Sequence, residues 1–251
     1  MKQTKKRRTG LLAAAVFWLA VWQAAAMAIG QEVFLVSPLQ AFGTLVQLLP
    51  QAEFWQRVGF SAGHILLGFV LGGVCSVLLA VAAERWLWVE ALLAPVMQLV
   101  KATPVASFII LALVLVSGKS LSILISFLMV LPVLYGAVRT GLESADPQLL
   151  EMARVFRVPL GRRLRGIYLP QVMPHFRTAV SLGLGLCWKA GAAAEIIGLP
   201  AGSMGERLYT AKVYFQTADL FAWTVTIVAV SVVFERLFLA LVDRLMRKAG
   251  L

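Results

Sequence analysis

Charge is scarce in this chain of 251 residues: Asp, Glu, Lys and Arg make up 14% of it, against 60% hydrophobic residues. A soluble domain carries about 25% charged residues, so a water-facing globular surface is excluded. Acid is scarcer than base, with 12 Asp and Glu against 23 Lys and Arg. Histidine and cysteine are nearly missing, at two each. His64 and His175 stand alone, without ligand spacing around them, so no metal site is expected. Cys75 and Cys187 both fall inside long apolar runs. A thiol there behaves as a small hydrophobe, and a disulfide is not expected. No paired carboxylates and no Ser/His/Asp set stand where catalysis could use them, so no catalytic residue is named. The net charge of +11 does not point to nucleic acid, because the basic residues sit beside apolar runs, as in membrane proteins.

What the sequence has is apolar length. A crossing takes about 20 apolar residues, and six stretches qualify, near 11–30, 59–83, 86–116, 121–138, 178–197 and 219–241. The composition therefore predicts an all-α membrane protein with six transmembrane helices. The first stretch follows Lys2, Lys5, Lys6, Arg7 and Arg8. Ala24, Ala26 and Ala28 offer small-residue cleavage positions, so a signal peptide is the alternative to a retained span, and the retained span is preferred. Stretch 86–116 is too long for one straight crossing, and Pro95 and Thr103–Pro104 predict a kink or a break in it. Pro132 predicts a kink in the fourth. Gly68 and Gly72 form a GxxxG pair that lets another helix approach closely. Residues 31–58 and 198–218 are external segments, the first with helical spacing at Leu39, Phe42, Leu45, Val46 and Leu49. Trp18, Trp22, Trp86, Trp88, Tyr209, Tyr214 and Trp223 are expected in interfacial belts.

Counting tests this topology. With the N-terminus inside, 16 of the 23 Lys and Arg are cytoplasmic and 4 are external (Arg57, Lys119, Arg207 and Lys212). Lys101, Lys189 and Arg236 lie within spans. The bias follows the positive-inside rule and puts both termini and segment 139–177 in the cytoplasm.

Within that segment, residues 146–170 read DPQLLEMARVFRVPLGRRLRGIYLP. Asp146 can cap a helix, with Pro147 as its first residue. Leu149, Ala153 and Phe156 form the apolar stripe of one helix. Pro159 ends it. Leu160, Leu164 and Ile167 form a second, shorter stripe, and Pro170 closes the unit. The expectation is a helix–turn–helix hairpin, apolar on one side.

Glu151, Ala153, Ile167, Leu169 and Pro170 stand at the spacing E-A-A-x(3)-G-x(9)-I-x-L-P. This resembles the EAA loop of permease subunits of binding-protein-dependent ABC importers, with Met152 in place of the first Ala and Arg157 in place of the Gly. Segment 93–104, with Lys101 before Pro104, and the run WKAGAAAEIIG are similar to the nitrate/sulfonate/taurine permease group. The resemblance implies the type I ABC importer permease fold over about 55–241, with 1–54 an N-terminal span and external segment and 242–251 a cytoplasmic tail. It implies an ABC ATPase subunit carrying ATP and Mg, an extracytoplasmic solute-binding protein, and a second permease copy, read as a homodimer in the inner membrane. This chain would bind no cofactor. The ATPase-coupling residues so implied are Glu151, Ala153, Arg154, Arg157, Gly161, Ile167, Leu169 and Pro170.

Charges inside a membrane cost about 2.5 kcal/mol or more and face a protein interior or a water-filled path. Ser181, Gly185, Trp188, Ala192 and Glu195 share one helical face, with Lys189 beside it. Glu195 and Trp188 are read as translocation-pathway residues, and Lys101 and Lys189 as attracting an anionic solute. The alternative is that these charges pair structurally, Glu195 through a hydrogen bond or ion pair between helices, and the Lys residues by neutralising it or a carboxylate on the partner subunit. Glu235 and Arg236 are expected to snorkel or to pair with a neighbouring helix. The run VSGKS at 116–120 ends like a phosphate-binding loop, but Leu113 stands where its first Gly belongs, so no nucleotide site is assigned. The alternative function is an ion-coupled secondary carrier using Glu195 and Lys189, against which no internal repeat is visible.

Overall fold

The computed structural model describes residues 2–249. They are helical with no strand among them. Helix α1 (Lys2–Ile29) carries the basic N-terminal cluster in its first turns, where side chains lie outside the described ones. Helix α2 (Pro38–Leu48) begins at a capping box, in which Ser37 Oγ accepts from Gln40 N–H and Gln40 Oε1 accepts from Ser37 N–H.

The core is a trio of long helices. Helix α3 (Ala52–Arg85) runs parallel to α6 (Gly118–Glu143), and α9 (Leu169–Gly198) runs antiparallel to both. The GxxxG pair explains the α3–α6 approach. A Cβ on Gly68 would lie 2.3 Å from the Ile123 carbonyl oxygen, and one on Gly72 would lie 2.9 Å from that of Phe127. One turn further along, Ser76 Oγ donates to the Leu131 carbonyl at 2.8 Å. Pro132 follows, yet α6 runs unbroken through it, so the expected kink is no break.

Helices α4 (Leu87–Ala102) and α5 (Val105–Leu115) make the long third stretch, bent by 109° between them. The bend sits at Thr103–Pro104. Thr103 has ψ 131° because its neighbour Pro104 disfavours a helical conformation there. Pro95, by contrast, is tolerated inside α4.

Helix α7 (Pro147–Val155) is followed by a turn and by α8 (Leu160–Arg163), which runs through a π turn (Leu164–Tyr168) straight into α9. The sequence expectation that Pro170 closes the hairpin is therefore corrected. In the π turn Leu169 N–H bonds to the Leu164 carbonyl, one residue further back than in an α-helix. That wider register makes room for a proline that has no N–H and would otherwise collide with the preceding turn. Residues 160–198 form one 39-residue helical rod.

Helix α10 (Met204–Val213) lies in the segment 198–218 expected only as external chain. Helix α11 (Thr217–Ala249) completes the fold. Four helical units, 52–85, 118–143, 160–198 and 217–248, are long and apolar enough to cross a membrane, and the bent α4–α5 pair makes a fifth. The apolar part of α1, Ala13–Ile29, is shorter, and a count of six is consistent with it. Trp223, expected at an interface, is instead buried against Phe54 with ring centroids 5.1 Å apart. Cys75 is half-buried, Cys187 is buried, and both are free thiols.

Candidate functional site

Two regions concentrate polar side chains, one at each end of the helix trio. The first is the hairpin. Asp146 Oδ1 accepts from Gln148 N–H at 2.8 Å and starts α7, with Pro147 next. Its far end is a Schellman cap: Val158 N–H bonds to the Ala153 carbonyl at 2.9 Å, and Arg157 N–H to that of Arg154 at 3.1 Å. The residue between must be left-handed, and Arg157 has φ +50°. Arg157 thus stands in the conformation that a glycine takes freely.

Ala153 is buried, while Glu151, Arg154, Arg157 and Gly161 are exposed and Ile167, Leu169 and Pro170 are half-buried. Much of the apolar surface of the hairpin is left open. Met152, Phe156, Leu160 and Leu164 all point outward, Phe156 with 74% of its surface free.

At the base of the hairpin stands a residue that the sequence reading counted only as one more basic charge. Arg139, near the end of α6, bonds to Glu84 of α3 at 2.7 Å, Glu90 of α4 at 2.8 Å and Glu143 of its own helix at 2.6 Å. It ties together three helix ends just before the chain leaves for α7. Nearby, Arg177 of α9 pairs with Asp243 of α11.

The second region lies at the opposite end. Glu195 is buried at 1% exposure, and its Oε2 accepts from Ser61 Oγ of α3 at 2.6 Å and from Gly205 N–H of α10 at 3.3 Å. Ser61 Oγ in turn accepts from Met204 N–H at 2.9 Å. The first turn of α10 is thereby fixed onto α3 and α9. Gly205 permits the fit, since a Cβ there would lie 2.4 Å from Glu195 Cβ. An outer set of charges repeats the tie. Arg57 bonds to Glu206 at 2.6 Å and Glu53 at 2.9 Å, and Arg207 bonds to Glu53 at 2.6 Å. Burial, the largest single influence, pushes the Glu206 carboxyl up, but the hydrogen bonds from Arg57 and the Gly202 N–H together with the nearby Arg57 and Arg207 charges outweigh it, and the net shift is downward.

Trp188 is buried two helical turns before Glu195 on the same face and lies against Phe234, centroids 5.6 Å apart. Lys189 and Lys101 are exposed, Lys101 in the last turn of α4 just before the α4–α5 break. Glu195 therefore meets Ser61 and Gly205, while Lys189 faces away from that packing. Glu235 accepts from Ser181 Oγ at 2.6 Å, and Arg236 is exposed. Ser61, Gly205 and Glu206 were not legible in the sequence, and Arg57 was counted there only as an external charge. One local signal was available: Ser203 stands three residues before Glu206 at N-cap spacing, and its Oγ accepts from Glu206 N–H at 3.0 Å.

A family model of binding-protein-dependent transport system inner membrane components matches residues 72–248, more than half of the chain. A Bacillus subtilis protein named as the aliphatic sulfonates transport permease SsuC is 26% identical over 216 residues, covering 85% of this chain and 77% of its own. The Escherichia coli taurine transport system permease protein TauC is 23% identical, covering 89% and 83%. The Synechococcus elongatus bicarbonate transport system permease protein CmpB is 24% identical, covering 78% and 70%. In fold, the chain is similar to one from a crystal structure of an amino acid ABC transporter with histidines. The TM-score is 0.61 at 15% identity, over 82% of this chain and 98% of that one.

Proposed function

Because the chain belongs to the family of binding-protein-dependent transport system inner membrane components, we propose a division of labour between its two polar ends. The chain is the membrane permease subunit of an ATP-driven ABC importer, and it is not an enzyme, since ATP is hydrolysed on a separate subunit. Its family works with an ATPase and a solute-binding protein.

In our reading, the hairpin is the coupling element. The observation that carries this is the outward apolar side at Met152, Phe156, Leu160 and Leu164 beside exposed Glu151, Arg154, Arg157 and Gly161. That surface suits a groove on the ATPase subunit, which holds ATP and Mg. The hairpin end and both termini face the cytoplasm, as the basic-residue bias supports. Ala153 is buried on the first arm, and the second arm, with Ile167, Leu169 and Pro170 half-buried, runs without a break into α9. A pull on it is passed along the rod 160–198, about 58 Å long at 1.5 Å per residue. The rod ends at Glu195, which holds α10 over the far mouth, so Glu195 acts as an outer gate residue.

Two copies, read as a homodimer, surround the path. The solute is a small anion, as relatives named for sulfonate, taurine and bicarbonate transport suggest. Lys101 supports this, since it stands beside the α5 N-terminus, where the helix dipole is positive. Lys189 adds a second exposed cation, and Trp188 braces the helix that carries it. The carrier alternative asks for Glu195 and Lys189 as a coupling pair, and the hydrogen bonds of Glu195 go elsewhere.

The test is purification of the tagged chain from its native membrane, with an ATPase assay on the complex and solute uptake in vesicles. An ATPase subunit should co-purify and be lost, together with uptake, in Glu151→Lys. Unchanged ATP-driven uptake in Glu151→Lys would remove the hairpin from the coupling role.

A further inference from the structure

A groove of about 340 Å³ opens on the side of the bundle between α3, α9 and α11, lined by apolar side chains that include Phe69, Val77, Leu78, Phe176 and Phe238. Its floor is Gly73, and the buried Leu134 of α6 lies directly behind it, 3.3 Å from where a Cβ on Gly73 would stand. Nothing polar lines it. In a membrane-spanning chain such a groove opens into hydrocarbon.

Toward the hairpin end the groove gives way to a polar recess of about 300 Å³ lined by Arg177, Asp243, Met246 and Arg247. The two follow one another along both helices. Arg177 follows Phe176 directly and is one helical turn from Val180, which also lines the groove. Met246 is two turns past Phe238 on the same side of α11, about 12 Å along the axis. The recess holds two guanidinium groups against one carboxylate. Asp243 is engaged by Arg177 Nε and Nη2, so the surplus positive charge lies on Arg247.

We propose that this groove and the recess that follows it along α9 and α11 together form a binding site for an anionic phospholipid from the leaflet on the hairpin side. An acyl chain lies over Gly73 between Val77, Leu78, Phe176 and Phe238. The phosphate is held by Arg247 with the outer edge of Arg177. Charge complementarity selects the occupant: a zwitterionic headgroup would bring an ammonium against the same guanidinium groups, and an apolar helix of a second copy would leave Arg247 without an anion. The proposal rests on the membrane-spanning reading but not on which solute is carried. Its consequence is a lipid tie between the rod 160–198 and α11.

The experiment is native mass spectrometry of the whole transporter complex, released from bilayers of equal phosphatidylglycerol and phosphatidylethanolamine. Wild type should retain phosphatidylglycerol over phosphatidylethanolamine by at least fivefold. Arg247→Gln should lower that ratio toward one while the complex stays assembled. Leu78→Trp, which fills the groove from an exposed rim position, should lower the retention of both lipids. Equal retention of the two lipids by wild type, or phosphatidylglycerol retention unchanged in both variants, overturns the proposal. So does a disulfide formed between Leu78→Cys and a cysteine scanned along α1 of the second copy, because a helix would then occupy the groove. Each of these outcomes is read on an assembled complex, so it is distinct from failure of the importer reading, in which no ATPase subunit co-purifies.

Discussion

Ser61 and Glu195 stand 134 positions apart in the chain and 2.6 Å apart in the fold, and the Ser61 hydroxyl that donates to the carboxylate also accepts from the first turn of α10. Two bonds through one hydroxyl join α3, α9 and α10. A hydrogen bond to a charged group contributes about 1.5–3 kcal/mol. Ser61→Ala should therefore free α10 without unfolding the trio. In a background with Cys75 and Cys187 replaced, Ala211→Cys is buried and should label slowly with a thiol reagent. Adding Ser61→Ala should speed labelling about tenfold or more. Glu195→Gln keeps an acceptor for Ser61 and should label more slowly than Glu195→Ala. Equal rates for all four proteins would show that these bonds do not hold α10.

Gly205 makes the same junction sensitive to a single methyl group. A Cβ there would meet Glu195 Cβ at 2.4 Å and the Glu195 carbonyl carbon at 2.6 Å, and backbone cannot yield as a side-chain tip can. Overpacking of this kind costs about 1–3 kcal/mol. Gly205→Ala should raise Ala211→Cys labelling at least as much as Ser61→Ala does. Combining the two should be less than additive, because both lift the same helix turn.

The outer tie, Arg57 to Glu206, gives a pH dependence. The Glu206 carboxyl is pushed up by burial but pulled down further by the hydrogen bonds from Arg57 and Gly202 and the Arg57 and Arg207 charges together, so its folded pKa lies below the ordinary value. Such a group stabilises the fold above its unfolded pKa, and the contribution is lost as pH falls through the folded one. Labelling at Ala211→Cys, read with a reagent that does not need the thiolate, should be flat from pH 7 to about 5 and rise below about pH 4.3. Glu206→Gln should be faster at neutral pH and show a smaller rise on acidification. An unaltered acid rise in that variant would assign it to other carboxylates.

Arg139 predicts a defect at the hairpin base. Its side chain is only 12% exposed and faces three carboxylates. Arg139→Gln should lower the stability of the assembled complex by about 2 kcal/mol, leaving Glu84, Glu90 and Glu143 facing one another. Glu143→Gln removes only an exposed i, i+4 partner and should cost about 0.5 kcal/mol or less. ATP hydrolysed per solute imported should rise in Arg139→Gln, because α7 would leave a looser platform. Equal melting curves for the two variants would contradict the hub.

What could be read from the sequence was local. Asp146, Pro147 and Pro159 set the first arm of the hairpin through rules that act over a few residues, and the break at Thr103–Pro104 follows from one proline. Pro170 misled for the same reason: a proline ends an ordinary helix, and the π turn that lets it continue depends on the register of the preceding five residues. Trp188 and Glu195 share a face, as their spacing suggested, and both are buried in the packing of this chain. Ser61 and Gly205, which hold Glu195, could not be found that way, because each is an ordinary residue until α3 and α10 pack against α9. Arg139 was hidden among basic residues whose number, rather than geometry, set the topology.

The last prediction concerns Arg157, where this chain departs from the EAA spacing. Its φ of +50° closes the Schellman cap of α7. A residue with a Cβ is disfavoured in that conformation by roughly 1–2 kcal/mol, and glycine is not. Part of the gain from glycine is offset by its greater freedom when unfolded. Arg157→Gly should therefore stabilise the isolated permease by about 0.5–1 kcal/mol, whereas Arg157→Val, β-branched in a left-handed position, should destabilise it. Thermal melts of the three proteins test the backbone effect alone. Coupled uptake tests the side chain. If Arg157→Gly melts higher and transports as well as wild type, the arginine is a tolerated replacement and the fold needs only the turn. If it melts higher and transports less, the guanidinium contributes to docking on the ATPase, and the strain at this position is maintained for that contact.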